Sequence, residues 1–361
     1  MDDIIEHCLP GEGKGDESWF GRLNKFEKQE TKRQVDFKRN YLKVPEDGVW
    51  SKRPNYQYPH ILPENNIKKT MYKPITDEVI TYLNDNEIAL HSEALNLRSS
   101  QVCCLNILFP LKKDRSLARE VLKPVLPHVK DVKKIEFEYT GPVGTTEWLG
   151  EPPSGKRGQN RTSIDAAIWW TDNIERKHIT LLEWKYTERS FGSCGGYESD
   201  SNQQKEQCRT MDATNSHPEK QCFLVTNGPQ THRRYWEHLV EAGIDITKFK
   251  GVNGCPFRGP FYQLLRQSLL AGYLRQEMDN IDNVEVVVLY FQGNASLLKC
   301  PRYLKPLIPN TMDSVIDAWN FVMTNASPVR HVTIEEIMSA ADRVVSGNNT
   351  WRRYVRKRYG L

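Results

Sequence analysis

The sequence predicts an α/β fold: a mixed central β-sheet flanked by helices. Three observations carry this. Residues 134–139 alternate cleanly, with Ile135, Phe137 and Tyr139 on one side and Glu136 and Glu138 on the other, the period of a half-buried strand. Two more apolar segments, 163–170 and 178–186, flank a polar turn at 171–177, which is the arrangement of a hairpin. Residues 284–291 are almost continuously apolar, as in a strand covered on both faces. With helical periods before and between them, the order is helix-strand-strand-strand-helix-strand.

Taken in chain order, residues 1–85 are polar and rich in Pro, Asn, Lys and Tyr, and read as a basic N-terminal arm or small appended region. Trp50 to Tyr56 reads as extended loop. A helix is expected over 93–109, where Ala94, Leu97, Gln101, Cys104, Leu105 and Leu108 recur at three- and four-residue steps, with Pro110 as its stop. A shorter helix is expected at 116–123. The three strands follow, the first two separated by a Gly/Pro-rich loop at 141–158. Beyond them we expect a helix at 202–211, a short strand at 221–226, helices at 231–242 and 257–278, and the apolar strand at 284–291. The C-terminal region should hold helices at 313–324 and 333–345, the latter opened by a capping box of Thr333 and Glu336. The implied organisation is an arm at 1–85, a core at 86–300 and a helical C-terminal region with a basic tail at 301–361.

The chain has 361 residues, 27% of them charged, and a formal net charge of +4. No apolar run approaches a membrane span, and no basic-then-apolar leader follows the acidic Met1-Asp2-Asp3. The expected location is therefore cytoplasmic, where cysteines remain thiols. The charge is unevenly placed. Residues 20–73 hold thirteen Lys/Arg against six Asp/Glu, and residues 351–361 hold five basic residues, three aromatic ones and no acid. Basic residues interleaved with aromatics suit a polyanion with stackable bases, though a solvated basic face has the same composition.

The chemistry lies in the hairpin. Side chains two apart on a strand share a face, so Glu183 and Lys185 point together while Leu182, Trp184 and Tyr186 point to the other side. Charged groups in such apolar strands need partners. Asp165, between Ile164 and Ala166, repeats the pattern one strand earlier. Pairing the strands brings two carboxylates and an ammonium to one spot, which is what phosphodiester hydrolysis requires: oxygen ligands for Mg²⁺ and a cation for the transition state.

Asp165, seventeen intervening residues, then Glu183-Trp184-Lys185 in strand–turn–strand context resembles the PD-(D/E)XK nuclease superfamily. The flanking runs, residues 161–166, 182–188 and 261–267, are similar to its restriction-endonuclease-like branch. The resemblance covers about residues 90–295. It implies a restriction-endonuclease-like core and a Mg²⁺-dependent DNA endonuclease, with Mn²⁺ able to substitute. Asp165 and Glu183 would be metal ligands, Lys185 the catalytic lysine and the Trp184 backbone carbonyl a further ligand. One departure is Ile164, where the motif has proline.

Other residues admit two readings each. Glu138 can add a ligand or face solvent. Glu93, expected to open the first long helix, can be an accessory acid or simply complement the helix dipole. Gln263 and Gln267, one turn apart beside Arg266, can reach the substrate or the metal-bound water, or form a polar helix face. Cys194, Cys208, Cys222 and Cys255 are spaced too widely for short paired zinc motifs. With the resemblance in view they are either a zinc or iron–sulfur centre or ordinary thiols; Cys8 and Cys300 carry no signal. Within the class, a DNA-repair or phage-defence nuclease is an alternative, and a catalytically silent DNA-binding protein is one from outside it. Monomer and homodimer are both compatible with the chain.

Overall fold

The alternating and continuously apolar segments assemble, in a computed structural model, into one five-stranded sheet. The structure describes residues 19–155, 157–226, 232–308, 314–324 and 326–361; Cys8, the first residues of the N-terminal arm and the starts of the helices expected at 231 and 313 lie outside them. Along the chain run α1 (Lys25–Asp36), the hairpin β1 (Gly48–Trp50) and β2 (Arg53–Tyr58), α2 (Thr76–Asp85), α3 (Ser100–Lys113) and α4 (Arg115–Val121). Then come β3 (Val129–Tyr139), β4 (Ile164–Asp172), β5 (Lys177–Lys185), α5 (Phe261–Glu277), β6 (Asn283–Tyr290), α6 (Val315–Val322), β7 (Arg330–Thr333), α7 (Ile334–Val344) and α8 (Thr350–Tyr359).

Strand order in space is β3-β4-β5-β6-β7. The first three strands are antiparallel neighbours, whereas β5, β6 and β7 run parallel. Antiparallel neighbours can be joined by a tight turn; a parallel pair needs a crossover, which α5 supplies between β5 and β6. Side-chain alternation then sorts the strands onto two cores. Ile168, Trp170, Leu182, Trp184, Val287 and Leu289 pack with α3, α4, α7 and α8. Ile179, Leu181, Val286 and Val288 pack on the other face with α5 and α6. The expected fold class, a mixed sheet flanked by helices, is the one observed.

Several local expectations are corrected. Pro110 does not stop the first long helix: α3 continues through it to Lys113. A proline in a helix leaves the carbonyl four residues back without its donor. Here that carbonyl, Asn106 O, accepts the indole N–H of Trp351 at 3.1 Å, so α8 supplies the missing bond. The same helix begins at Ser100, not at 93, because Ser99 caps it through Val102 N–H. Residues 221–226 form no strand; Cys222 O accepts the N–H of Val225 and Thr226 in a single helical turn. An apolar run this short does not distinguish strand from turn. Residues 235–243 form consecutive turns ending at Gly243 (φ +76°) rather than a helix.

Residues 24–58 and the C-terminal tail are more regular than their composition suggests. Asn24 and Glu27 form a reciprocal capping box that starts α1, at 2.9 and 2.7 Å. The stretch expected as loop around Trp50 is the β1–β2 hairpin. The basic tail is α8, whose Trp351, Tyr354, Val355 and Tyr359 lie in the core while Arg353, Arg356 and Lys357 stay on the outside. The Thr333–Glu336 capping box is present.

Candidate active site

The pairing of β4 with β5 ends at Ala166↔Leu182, yet β5 stays paired with β6 as far as Lys185. Where the two strands part, the Asp165 carboxylate takes the place of a backbone acceptor. Its Oδ2 receives the Trp184 N–H at 2.6 Å. In an extended strand a residue's N–H and C=O face the same edge, so the Trp184 carbonyl is turned toward β4 as well.

Glu183 and Lys185 share the face covered by α5, as the alternation requires. Both are buried, and Lys185 Nζ stands 2.8 Å from Glu183 Oε1. Helix α5 places Gln263 and Gln267 one turn apart over them. Gln263 Nε2 donates to Glu183 Oε1 at 2.5 Å and Gln267 Nε2 donates to Oε2. Gln263 Oε1 accepts from Lys185 Nζ at 3.0 Å and from Gly192 N–H at 2.7 Å. Each end of the Gln263 amide is thus used, whereas the buried Gln267 Oε1 has no hydrogen-bond partner.

Burial first, and then the charge of Glu183 and of Glu138, hold the Asp165 carboxyl well above its ordinary range; Lys185 and the Trp184 N–H offset only part of this. Burial likewise raises Glu183, against the opposing pull of Lys185. Burial alone would lower Lys185, but Glu183, Glu188 and Asp165 outweigh it and keep the ammonium charged. Without a metal, the site therefore has more carboxylate than its one lysine can neutralise.

Glu138 belongs to this neighbourhood. It is buried, accepts from Gln101 Nε2 at 2.8 Å, and lines a small cavity together with Asp165, Gln101 and Cys104. Its φ of +49° lies in the left-handed region, which costs a side-chain-bearing residue on the order of 1–3 kcal/mol. Glu93 is not brought to the site. It sits in the turn before α3 and accepts from Ser51 in the β1–β2 hairpin. Glu188 is a site residue that sequence reasoning misses. It follows the strand end, accepts the Tyr186 N–H at 2.8 Å and a bond from Ser100, and acts electrostatically on both Glu183 and Lys185. Strand alternation stops at Lys185, so it carries no signal for this residue.

Among the described residues no group of three or more His, Cys, Asp or Glu is placed so that it could hold a metal ion. The donor chemistry nevertheless fits a hard divalent cation. Asp165 and Glu183 offer carboxylate oxygens with uncompensated charge, and Gln267 Oε1 is a buried acceptor that a metal-bound water would satisfy.

A mixed sheet with this order, flanked by helices and carrying acidic residues where two strands part, defines a restriction-endonuclease-like protein. The chain belongs to the family described as restriction endonuclease associating with ARP (REase-ARP), whose profile matches residues 31–360. That membership puts it in the nuclease class of hydrolases. Comparison with curated proteins and with solved structures finds no significant match. Among the described residues no helix is long and apolar enough to cross a membrane.

Proposed function

We propose that the protein is a Mg²⁺-dependent DNA endonuclease of the PD-(D/E)XK type. The observation that carries this reading is the meeting of Asp165, Glu183 and Lys185 where β4 and β5 part, with too little positive charge for the carboxylates gathered there. Asp165, Glu183 and the Trp184 carbonyl would hold the ion, with Mn²⁺ a workable substitute. Bound there, Mg²⁺ would offset the charge of the phosphate and acidify a bound water.

The chain's own groups supply the rest. Lys185 is fixed by Glu183 and Gln263 and stays protonated, so it can donate to a non-bridging phosphate oxygen or orient the attacking water. Gln263 and Gln267 hold Glu183 in place; when the carboxylate turns to a metal, their amides can bond the water beside it. Glu138 and Glu188 keep the local potential negative and so favour a cation.

A groove on another part of the surface supports DNA as the substrate. Parts of α1, α8 and residues 68–77 line it with nine Lys/Arg and two Asp; Lys32, Lys69, Lys73 and Arg353 are among them, beside a half-exposed Tyr41. Such a surface attracts a phosphate backbone without reading sequence.

The test is digestion of a mixed DNA pool with and without Mg²⁺, followed by sequencing of the ends. Mg²⁺-dependent ends at one motif are expected of a restriction enzyme. Ragged Mg²⁺-dependent ends would instead mark a processing nuclease, and no cleavage with either Mg²⁺ or Mn²⁺ would contradict the proposal.

A further inference from the structure

The aromatic residues of the basic tail, Trp351, Tyr354 and Tyr359, are buried, so the tail brings cations to the basic groove but no free ring. The ring comes from the other wall. Helix α1 runs into one wide turn, Phe37–Tyr41, closed by the Leu42 N–H on Phe37 O at 3.0 Å. Wide turns of this kind are rare and recur at functional sites. Here the Tyr41 ring stacks on Phe37, with centroids 4.8 Å apart and planes 16° from parallel. Phe37 is fully buried, and it is braced by Tyr354 at 5.7 Å and by the Arg358 guanidinium over its ring. Tyr41 therefore rests on a fixed base. It is 49% exposed, so the face turned away from Phe37 is the open one. A lone exposed tyrosine needs no explanation; one braced from behind in a cationic groove does.

Around this ring Lys69, Lys73 and Arg353 line the groove, exposed and with no ion pair among the described residues. The groove holds about 1700 Å³, and Met71, Tyr72 and Tyr354 in its lining belong to the core on one side of the sheet. Glu183 and Lys185 point to the other side, under α5. Duplex DNA has a persistence length of about 150 base pairs, so it must be bent to touch both sides, and its base faces are hidden in the stack. A single strand turns freely and offers its base faces to a ring.

We propose that this groove seats an unpaired DNA strand, with one base stacked on Tyr41 and the neighbouring phosphates on Lys69, Lys73 and Arg353. The proposal rests on DNA as the substrate and adds which form of it the groove selects. Phosphate contacts hold single and double strands alike. The ring gains only from a base that is not already paired and stacked. Every base has a π-face, so the groove favours open strands without reading a motif.

The experiment titrates the full chain, in chelator so that no cleavage intervenes, against a labelled single-stranded oligonucleotide and against the blunt duplex of the same sequence, by fluorescence anisotropy. The single strand should bind more tightly. Tyr41→Ala should weaken it by about 5- to 150-fold, the worth of one stacked base, and leave the duplex unchanged, while Tyr41→Trp restores the strand. Lys69→Glu with Lys73→Glu should weaken both forms. Melting temperatures near the wild-type value confirm that these surface variants are folded. A single strand that binds no better than the duplex overturns the proposal. So does a Tyr41→Ala loss that is absent or equal for both forms, or a free mononucleotide that displaces the strand at comparable concentration. Binding is read without catalysis, so a protein that shows this preference but cuts nothing keeps the groove assignment and defeats the nuclease reading alone.

Discussion

The β4–β5 hairpin and the segment between β5 and α5, residues 186–260, are held by different means. In the hairpin, backbone pairing and two packed faces fix Glu183 and Lys185, and the charges sit where the ladder happens to end. In the segment between β5 and α5 no ladder exists among the described residues, and short helical turns meet through single backbone bonds such as that from Cys255 N–H to Cys208 O at 2.7 Å. The difference teaches that charged groups are fixed where a ladder and two packed faces define their position, and not where short turns merely meet. Removing the hard ion should therefore abolish cleavage while lowering the melting temperature only by the amount that its binding contributes.

Lys185→Ala breaks that comparison most sharply. Cleavage should fall by about 10²–10³-fold, the scale of losing one preorganised transition-state donor. Mg²⁺ binding should persist, because no ligand is removed. Without metal, Glu183 would lose its buried partner, at a cost of about 3–5 kcal/mol. Thermal melts with and without Mg²⁺ check this: the loss should be large without the ion and mostly recovered with it.

The second prediction concerns the structural bond behind the sheet. Trp351→Phe should destabilise the protein by about 1–3 kcal/mol, the cost of leaving the Asn106 carbonyl buried without a donor. Pro110→Ala restores a backbone N–H to that carbonyl. In the Pro110→Ala background the same Trp351→Phe change should cost measurably less. Equal costs in both backgrounds, measured by urea unfolding, would mean that the indole contributes by packing alone.

These two regions also mark what the sequence can reveal. The three-strand run and the charged pair Glu183/Lys185 are legible because a period of two is intrinsic to a strand and buried charge is rare. Asp165 is legible for the same reason. Pro110 misleads because its local rule is overridden by a donor 245 residues from the carbonyl it serves, which no window along the chain contains. The aromatic, basic tail has a composition that suits nucleic acid. The structure instead uses Trp351, Tyr354 and Tyr359 for packing and leaves only one side basic. Glu93 follows from a helix start placed too early, and Glu188 is hidden by the end of the strand.

Proton competition gives a smaller, graded effect. The folded pKa values of Asp165 and Glu183 are raised, so their contribution to metal-free stability is present below the ordinary carboxylate range, near pH 4, and is lost as pH rises through the raised values. Mg²⁺ must displace the same protons. Its affinity, and the melting shift it produces, should grow with pH over that window and then level off. Calorimetric Mg²⁺ titrations at several pH values check this, and a flat profile would mean that these carboxylates do not bind the ion.

The smallest effect lies in the basic groove. Arg353→Glu with Lys357→Glu should weaken DNA binding and flatten its dependence on salt, by roughly 0.9 in log–log slope for each phosphate no longer neutralised. Truncating the tail would not serve, because Trp351 and Tyr359 are core residues. An unchanged slope in fluorescence-anisotropy titrations would remove the groove from the DNA path.

The most direct test of the central claim is Glu183→Gln, with cleavage rate and melting temperature measured on the same preparation. The carboxamide keeps the size of the side chain but loses the charge that would hold Mg²⁺. The expected result is a folded protein whose Mg²⁺-dependent cleavage drops by on the order of 10²-fold or more. Wild-type cleavage in the folded variant, or a loss of activity no larger than the loss of folded protein, would contradict it.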